Sequence, residues 1–281
     1  MANPAFSVLM SIYYKEKPAY AAACFDSLLA QTVPADEWVI VEDGPLTPKL
    51  YALLDAYQEQ HPGLIKRVPL PENRGLGMAL REGVTHCTHE LIARMDTDDI
   101  CREDRFEKQL VLFASRPELD ICGSHIKEFD RTTQEILSVR RVPTKESEIL
   151  RYQKRRDSFN HVTVMFKKSA VLRAGNYQHA LLMEDSFLWV NMMRTGARCG
   201  NVDDYLVYVR TGRDMFDRRG GWAYFKKYRS GRRKIYETGY ISWFDYAYTL
   251  CVQLVVALLP PAWRRALFVK MLHSKNKTQD A

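Results

Sequence analysis

The sequence predicts an α/β fold in which a mostly parallel β-sheet is covered by helices on both faces, with a carboxy-terminal extension of amphipathic helices. Two observations predict the sheet. Short apolar runs typical of buried strands alternate with stretches whose apolar residues recur at helical spacing. Several of these runs end in polar or acidic residues, as parallel strands do when their carboxyl ends carry a ligand site. The 281 residues suffice for one large domain with an appendage.

Strands and helices follow each other in order through the first half of the chain. The first helix opens at Pro18, a residue favoured in the first turn of a helix, and the second carries leucines at helical spacing. The predicted strands are residues 6–10, 38–41, 65–70 and the run that begins at Leu91, and the predicted helices are residues 18–31, 47–60 and 76–84.

The second half continues this pattern after a polar interruption. The alternating segment 124–141 is predicted to be an extended arm or a hairpin, and residues 175–177 are predicted to form a turn. Further strands are predicted at residues 119–123, 162–166 and 206–209, and further helices at residues 104–115, 144–152 and 186–194.

Three carboxylates follow the strand that begins at Leu91. Asp96, Asp98 and Asp99 are predicted to stand together at the exposed end of this buried strand. Like charges this close repel each other, and they persist mainly when they share a cation or hold a proton. A hard divalent ion is the natural partner. The alternative is an Asp-rich helix N-cap, which needs only one such residue, and the cluster alone leaves both interpretations open.

Polar residues at the ends of other strands favour the metal site. Ser11 and Tyr13 follow the first strand, and Glu42 and Asp43 follow the second. Because ligands bind at the carboxyl ends of parallel strands, these side chains and the acidic cluster can converge on one crevice. Arg94 is unusual within an apolar strand and is expected to pair with a nearby carboxylate.

Charge and cysteine content restrict the class of protein. The net charge of +7 is concentrated between residues 210 and 234, where ten Lys or Arg stand against two Asp. Such a basic belt favours an anionic partner, which can be nucleic acid, a phospholipid surface or a phosphorylated substrate. The six cysteines are scattered without a CxxC pair, which is typical of reduced core residues of a cytosolic protein. No signal peptide is expected at the start of the sequence.

Residues 213–281 differ from the rest of the chain. Aromatic residues alternate with Lys and Arg from 218 to 236, and an apolar stretch at 243–259 precedes an amphipathic helix predicted at 263–270. The apolar run 246–259 is shorter than the roughly 20 residues that span a bilayer. We expect a helix pair on an anionic membrane surface; the alternative is that the helices pack on the preceding domain. The acidic crevice argues against nucleic acid.

Five motifs in order along the chain resemble glycosyltransferase family 2, and within it the bacterial enzymes that extend surface polysaccharides. The resemblance covers about residues 5–212. It implies a GT-A fold, a nucleotide-sugar donor, a divalent ion (Mn²⁺ or Mg²⁺) and inversion at the anomeric carbon. The motifs are Ser7-Val8-Leu9-Met10-Ser11, Val41-Glu42-Asp43-Gly44, Asn73-Arg74-Gly75-Leu76-Gly77, Ala93-Arg94-Met95-Asp96-Thr97-Asp98-Asp99 and Met183-Glu184-Asp185.

The resemblance implies roles for the acidic cluster. Asp98 would ligate the metal ion, and Asp96 would contact the ribose or a metal-bound water. Asp99 would be a supporting ligand or a helix cap. Independently of the family, transfer of a sugar from a nucleoside diphosphate requires neutralisation of the leaving diphosphate, which a divalent ion provides as a Lewis acid.

The resemblance also assigns the nucleotide pocket. Asp43 would contact uracil or another base, and Ser11 and Tyr13 would line the same pocket. Glu42 replaces the first acid of the family's usual Asp-Asp pair, so its role stays open. Arg74 would approach the diphosphate, with nearby backbone amides facing an anion; alternatively, residues 73–77 are an ordinary loop-to-helix turn.

The acceptor side requires a base on the face opposite the leaving group, and a carboxylate suffices. By resemblance Asp185 is this base, with Glu184 beside it; the alternative is that the pair caps its helix. His161 and Arg210 are also assigned to the acceptor side, although a lone His beside an apolar run is more often structural.

Together these inferences predict a GT-A domain at 1–212, with a nucleotide-sugar half at about 1–123 and an acceptor half at about 124–212, and a membrane-associated extension at 213–281. The expected activity is transfer of a hexose or N-acetylhexosamine, from a donor expected to be UDP-linked, to a lipid-diphosphate-linked saccharide at the cytoplasmic face of the inner membrane. The product would be O-antigen, capsule or exopolysaccharide. The alternatives are a sugar nucleotidyltransferase, although an early Gly-rich signature is lacking, and a non-enzymatic membrane-bound scaffold.

Overall fold

One mixed β-sheet organises the part of the chain that the structure describes. The computed structural model describes residues 3–180, 182–211 and 221–259. The sheet order is β3-β2-β1-β4-β8-β6-β9-β5, and β7 pairs with β6 outside this path. The strands are β1 (Phe6–Ile12), β2 (Glu37–Glu42), β3 (Ile65–Pro69), β4 (Leu91–Arg94), β5 (Ile100–Cys101), β6 (Leu119–Phe129), β7 (Ile136–Arg140), β8 (Met165–Lys167) and β9 (Arg198–Arg210).

The predicted mostly parallel sheet is confirmed. Strands β3, β2, β1 and β4 run parallel, and so does the longest pairing, that of β6 with β9. The antiparallel pairs each involve one of the shorter strands β5, β7 and β8. Strands β2 and β3 lie on one side of β1 and β4 lies on the other. Such a reversal of strand order opens a crevice at the carboxyl ends, here beyond Ile12 and Arg94.

Helices cover both faces of the sheet, as the sequence predicts. Alternate residues of β1 point to opposite faces. Val8 and Met10 join an apolar core with residues of the helices Pro18–Leu29 and Arg105–Ser115, whereas Leu9 joins a second core with residues of the helices Leu76–His86 and Glu184–Arg194. The helices are α1 (Pro18–Leu29), α2 (Pro48–Gln60), α3 (Leu76–His86), α4 (Arg105–Ser115), α5 (Glu146–Gln153), α6 (Lys168–Arg173), α7 (Glu184–Arg194), α8 (Gly221–Glu237) and α9 (Trp243–Leu258).

The structure differs from the sequence prediction mainly between residues 100 and 210. Strand β5 and helix α6 were not predicted, and β9 begins at Arg198, well before residue 206. The segment 124–141 forms a hairpin, the second of the two predicted possibilities. The predicted strand at 162–166 is wrong at its start, because His161–Thr163 is a 3-10 turn in which the Thr163 hydroxyl donates to the Asn160 carbonyl oxygen at 2.8 Å.

Helices α8 and α9 pack on the preceding domain, as the alternative interpretation of the extension expects. A small apolar core joins Ile235 and Ile241 to Met183 and Val190. Arg232 donates to the Lys154 carbonyl oxygen and, at 3.0 Å, to the Thr249 hydroxyl. No described helix is long and apolar enough to cross a membrane. The predicted helix at 263–270 and the proposed boundary after residue 212 lie outside the described residues.

Candidate active site

A cleft of about 440 Å³ lies at the carboxyl ends of β1, β2 and β4. It brings together five of the residues that sequence reasoning assigned to the donor site. It is lined by Ser11, Tyr13, Lys15, Glu16, Lys17, Tyr20, Asp43, Asn73, Gly75, Leu76, Asp96, Thr97 and Asp98. No sequence pattern indicated Glu16, Lys17 or Tyr20, because they lie on the β1–α1 loop and the first turn of α1, outside any acidic or glycine-rich motif.

Asp96, Asp98 and Asp99 form one acidic cluster at the mouth of this cleft. Each offers a carboxylate oxygen, and these oxygens all lie within 4.8 Å of one another. The helix that follows begins only at Arg105, and its N-cap position is Asp104. The interpretation of the cluster as a helix N-cap is therefore wrong. The β4 strand ends at Arg94, so the carboxylates stand on the loop beyond the sheet edge.

Arg94 neutralises one member of the cluster. Its guanidinium is buried and grips both oxygens of Asp96, with Nη1 donating to Oδ2 at 2.6 Å and Nη2 to Oδ1. The expected pairing of Arg94 with a nearby carboxylate is confirmed. Because Asp96 already has this partner, Asp98 and Asp99 are the members of the cluster whose carboxylates remain for a further cation.

The carboxylates of Asp98 and Asp99 fit a divalent cation. Burial, followed by repulsion from Asp96 and Glu16, raises the pKa of Asp98 to about 7. Burial and repulsion from Asp98 and Asp96 raise the pKa of Asp99 well above its ordinary value. Oxygen ligands with excess negative charge are what Mn²⁺ and Mg²⁺ prefer. These residues therefore fit a divalent ion, with Asp98 as the partly exposed ligand on the cleft side.

Asp43 holds the loop that forms one wall of the cleft. Its buried carboxylate accepts the backbone N–H groups of Arg74 at 2.7 Å and Gly75 at 3.0 Å, and its carbonyl oxygen accepts from the Asn73 side chain at 3.1 Å. The amides of the 73–77 loop thus face an anion, but that anion is the protein's own Asp43. The Arg74 side chain is exposed and is not among the described residues that line the cleft.

Gly44 lets this loop approach the end of β2. It has a φ of +82°, and a Cβ atom built on it would lie 2.6 Å from the Asn73 backbone nitrogen. Only glycine satisfies both conditions without strain. The Val41-Glu42-Asp43-Gly44 motif is therefore a local device that pins the 73–75 loop to the sheet.

An ion pair with Arg67 accounts for Glu42, whose role the sequence left open. The Glu42 carboxylate is buried and accepts from the Arg67 Nε, while Arg67 also donates to Asp55 at 2.5 Å. Glu42 thereby ties β2 to β3 and α2. It is absent from the described residues that line the cleft, so its replacement of the family's usual Asp does not alter the cleft wall.

Asp185 lies in the first turn of α7 and is not among the described residues that line the cleft. The N-cap position is Met183, and Asp185 Oδ1 accepts the Ser186 backbone N–H at 2.8 Å. Burial, followed by repulsion from Asp157, raises the pKa of Asp185 to about 7, and the positive charge of Arg94 opposes the rise. Arg94 therefore acts electrostatically on both Asp96 and Asp185.

Asp157 was missed by sequence reasoning. The Ser186 hydroxyl donates to the Asp157 carboxylate, and Gln153 donates to the same oxygen at 3.3 Å. Asp157 lies in a loop without a motif, so only the folded structure brings it beside α7. Glu184, the other member of the acidic pair, packs against α3, since a Cβ at Gly77 would lie 2.6 Å from its Cγ.

His161 contacts Tyr177, whereas Arg210 contacts the acidic cluster. His161 Nε2 lies 2.9 Å from the Tyr177 hydroxyl, and burial with the charge of Arg94 lowers the pKa of this imidazole well below its ordinary value, so it is neutral. Arg210 lies beside the acidic cluster: its backbone N–H donates to Asp99 at 2.7 Å and its Nε donates to the Asp98 carbonyl oxygen at 3.0 Å. Its guanidinium lies 3.9 Å from the Tyr20 ring centroid.

The fold and the acidic cleft define the class of protein. The architecture is that of GT-A glycosyltransferases: a mannosyltransferase from Pyrobaculum calidifontis, solved in complex with GDP-Man and Mn²⁺, aligns with the whole chain and 77% of its own length at a TM-score of 0.62 and 15% identity. More particularly, residues 7–178 match the family described as Glycosyl transferase family 2. The chain belongs to that family, so the family membership expected from the five motifs is confirmed.

Two curated relatives match most of the chain. The amylovoran biosynthesis glycosyltransferase AmsE of Erwinia amylovora is 45% identical over 221 residues, covering 79% of this chain and 82% of the relative. The UDP-Gal:α-D-GlcNAc-diphosphoundecaprenol β-1,3-galactosyltransferase of Escherichia coli is 34% identical over 270 residues, covering 96% of this chain and 97% of the relative.

Proposed function

We propose that this protein is a metal-dependent inverting glycosyltransferase of surface polysaccharide synthesis. It moves a hexose or N-acetylhexosamine from a UDP-linked donor to a saccharide carried on a lipid diphosphate, at the cytoplasmic face of the inner membrane. The observation that carries the proposal is the acidic cluster of Asp96, Asp98 and Asp99 beyond β4, of which Asp96 and Asp98 line the cleft. Asp185 at the start of α7 shares the electrostatic influence of Arg94 with Asp96.

The donor half of the proposal rests on the cleft wall. Asp43, Ser11 and Tyr13 line the cleft on the side of β1 and β2, where a base and ribose fit, and Asp98 lines it on the side of β4. A divalent ion held by Asp98, with support from Asp96 and Asp99, would neutralise the negative charge that develops on the leaving diphosphate. Lys15 and Lys17 add positive charge to the same cleft.

The acceptor half rests on Asp185. With a pKa of about 7, its carboxylate is partly ionised at neutral pH and is well matched to remove a proton from an attacking hydroxyl. The positive charge of Arg94, which is bonded to Asp96, opposes the rise in the Asp185 pKa and so favours the ionised form of this carboxylate. One base and one leaving group on opposite faces of the sugar lead to inversion at the anomeric carbon.

The lipid-linked acceptor and the membrane location rest on the relatives and on charge. The Escherichia coli relative is named for a diphosphoundecaprenol acceptor, and the Erwinia relative for amylovoran synthesis. The basic belt between residues 210 and 234 suits an acceptor diphosphate and anionic headgroups.

A panel of nucleotide sugars tests the proposal. Purified protein is incubated with UDP- and GDP-linked hexoses and N-acetylhexosamines, with Mn²⁺ or with EDTA, and the released nucleotide is identified. We expect UDP, released only when the metal is present. A sugar nucleotidyltransferase would release pyrophosphate from a nucleoside triphosphate and a sugar phosphate. A scaffold would bind no nucleotide in a metal-dependent way, and either result would overturn the proposal.

A further inference from the structure

Helix α9 has its polarity reversed relative to an ordinary surface helix. The side that faces the protein carries the polar residues Asp245, Thr249 and Gln253, spaced four residues apart. Asp245 pairs with Arg155 at 2.6 Å, and Thr249 accepts from Arg232 at 3.0 Å. Polar contacts therefore fasten this side of α9 to Arg155 of the domain and to Arg232 of α8, whereas apolar packing is usual on the inner side of a surface helix.

The opposite side of α9 is apolar and exposed. Phe244 is 74% exposed, Val255 59% and Leu258 71%, and Cys251 and Val252 lie between them on the same side. These residues recur at intervals of three and four, so they form one continuous stripe along the helix. Trp243 and Tyr248 extend it at the start of the helix, and we refer to the stripe as the outer face of α9.

The outer face has few partners among the residues that the structure describes. Trp243 meets Phe244 edge to face, and Arg155 lies over the Tyr248 ring at 4.8 Å. Burying an apolar stripe of this length is favourable, and large apolar patches mark interaction sites. The remaining question is the chemistry of the partner.

The charge of the neighbouring helix distinguishes the possible partners. Residues 221–259, which contain α8 and α9, carry six Lys or Arg and two acidic residues, and Lys226, Lys227 and Arg229 of α8 are exposed. A second copy docked through the same face would bring two basic helices together, and like charges repel. An anionic lipid surface complements both the cations and the apolar stripe. The 16 residues of α9 suit a helix lying in the plane of that surface.

We propose that the outer face of α9 inserts into the interfacial region of an anionic bilayer while α8 supplies cations to the headgroups. This inference rests on the proposed function, since it names the surface on which the cleft would meet a lipid-linked acceptor. Arg232 and Arg155 fix the two helices to the domain, so docking of α9 sets the height and tilt of the cleft above the membrane.

Cys251 provides a direct test because the other five cysteines of the chain are buried. A polarity-sensitive fluorophore is attached to Cys251 of the full-length protein, without any nucleotide sugar, and vesicles are added. We expect a blue shift with vesicles containing phosphatidylglycerol, and roughly tenfold weaker binding to pure phosphatidylcholine vesicles. The control is Val111→Cys in a Cys251→Ser background. It carries the label at another exposed apolar position, on α4, and its emission is expected not to shift.

A charge placed on the outer face gives the second measurement. Phe244→Glu with Val255→Glu should weaken sedimentation with anionic vesicles by about tenfold or more, while UDP release with a soluble acceptor is retained. An unchanged emission of the Cys251 probe on anionic vesicles would overturn the inference. A probe shift that depends on protein concentration without vesicles would instead assign the face to a second copy. Vesicle binding without sugar transfer would overturn the proposed function and leave the docking face standing.

Discussion

Asp98 lines the cleft, and among the described residues no cation pairs with its carboxylate as Arg94 pairs with that of Asp96. Asp98→Asn keeps the shape of the side chain and removes the charge that would hold the metal ion. We expect the rate of sugar transfer to fall by about 100-fold or more and its dependence on Mn²⁺ concentration to weaken. Initial rates of UDP release across a Mn²⁺ series measure this.

The matched control for Asp98 is Asp203→Asn, because the Asp203 side chain is 78% exposed and lies outside the cleft residues. Its Mn²⁺ dependence should equal that of the unaltered protein. An Asp98→Asn protein with the unaltered rate and metal dependence would remove Asp98 from the metal site.

Asp185 predicts the pH dependence of transfer. A base must be ionised to accept a proton, and its raised pKa of about 7 means that the carboxyl is largely protonated at pH 6 and ionised at pH 8. We therefore expect the rate at saturating donor and acceptor to rise with pH through about 7 and then level off. Asp185→Asn should lower the rate by about 10²–10⁴-fold, with nucleotide binding retained.

Replacing Asp157 tests whether Asp185 acts as the base or only as a structural carboxylate. Since the negative charge of Asp157 contributes to the raised pKa of Asp185, Asp157→Asn should move the rise of the pH–rate profile to lower pH. The profile is measured with both substrates saturating. An Asp157→Asn profile superimposable on that of the unaltered protein would argue that Asp185 does not set the pH dependence.

At the scale of elements, the turn after β2 contains Gly44 and packs against the 73–75 loop of the donor site. Gly44→Ala adds a Cβ beside the Asn73 backbone nitrogen and forces alanine into a positive φ. We expect unfolding free energy to fall by about 2–4 kcal/mol and the KM for the donor to rise as the loop moves. Chemical denaturation and steady-state kinetics check both.

Gly63→Ala is the control for Gly44→Ala. Gly63 has nearly the same φ, +83°, but a Cβ there meets no atom within 4 Å. The strain of the positive φ alone should cost about 1–2 kcal/mol and leave the KM for the donor unchanged. Equal effects of the two substitutions would show that the contact with Asn73 contributes nothing.

Sequence patterns predicted the elements that have a strong local signal. The apolar runs of β1, β2 and β4 and the acidic residues beyond β4 are visible without a structure, because burial and charge leave their mark on consecutive residues. Strand β5 has two residues and pairs with β9 more than 100 residues away, so no local period reveals it. Only the fold places Asp157 and Arg94 close enough to Asp185 to affect its pKa.

The difference between local sequence patterns and long-range contacts also explains which residue roles the sequence left open. Glu42 and Asp43 are adjacent acids. Glu42 pairs with Arg67 away from the cleft, whereas Asp43 binds the 73–75 loop in the cleft wall. Successive strand residues point to opposite faces, and which face meets the cleft depends on the register of the sheet. The reversed polarity of α9 likewise becomes visible only when its inner side is known.

At the scale of the whole molecule, Arg232 is a buried polar link that joins α8 both to the domain and to α9. Its guanidinium is buried and bonds the Lys154 carbonyl oxygen and Thr249. Arg232→Met keeps much of the volume and removes these bonds, at a cost of about 2–4 kcal/mol. We expect amide hydrogen exchange to accelerate in α9 and in residues 150–158 while β1 and β4 stay protected.

Arg233→Met is the matched control for Arg232, because Arg233 is exposed and pairs with Glu237 on the same helix. We expect amide hydrogen exchange in α9 of the Arg233→Met protein to equal that of the unaltered protein. If Arg232→Met leaves α9 as protected as Arg233→Met does, the link is carried by the apolar contacts of Ile235 and Ile241 instead.

The central claim is that a metal-assisted nucleotide-sugar site acts together with a single base, Asp185, for direct displacement. The anomeric configuration of the product tests this most directly. With an α-linked UDP-sugar and Mn²⁺, proton NMR of the product should show a new β-glycosidic linkage, formed by the unaltered protein and lost in Asp185→Asn. An α-linked product would contradict direct displacement and the role assigned to Asp185.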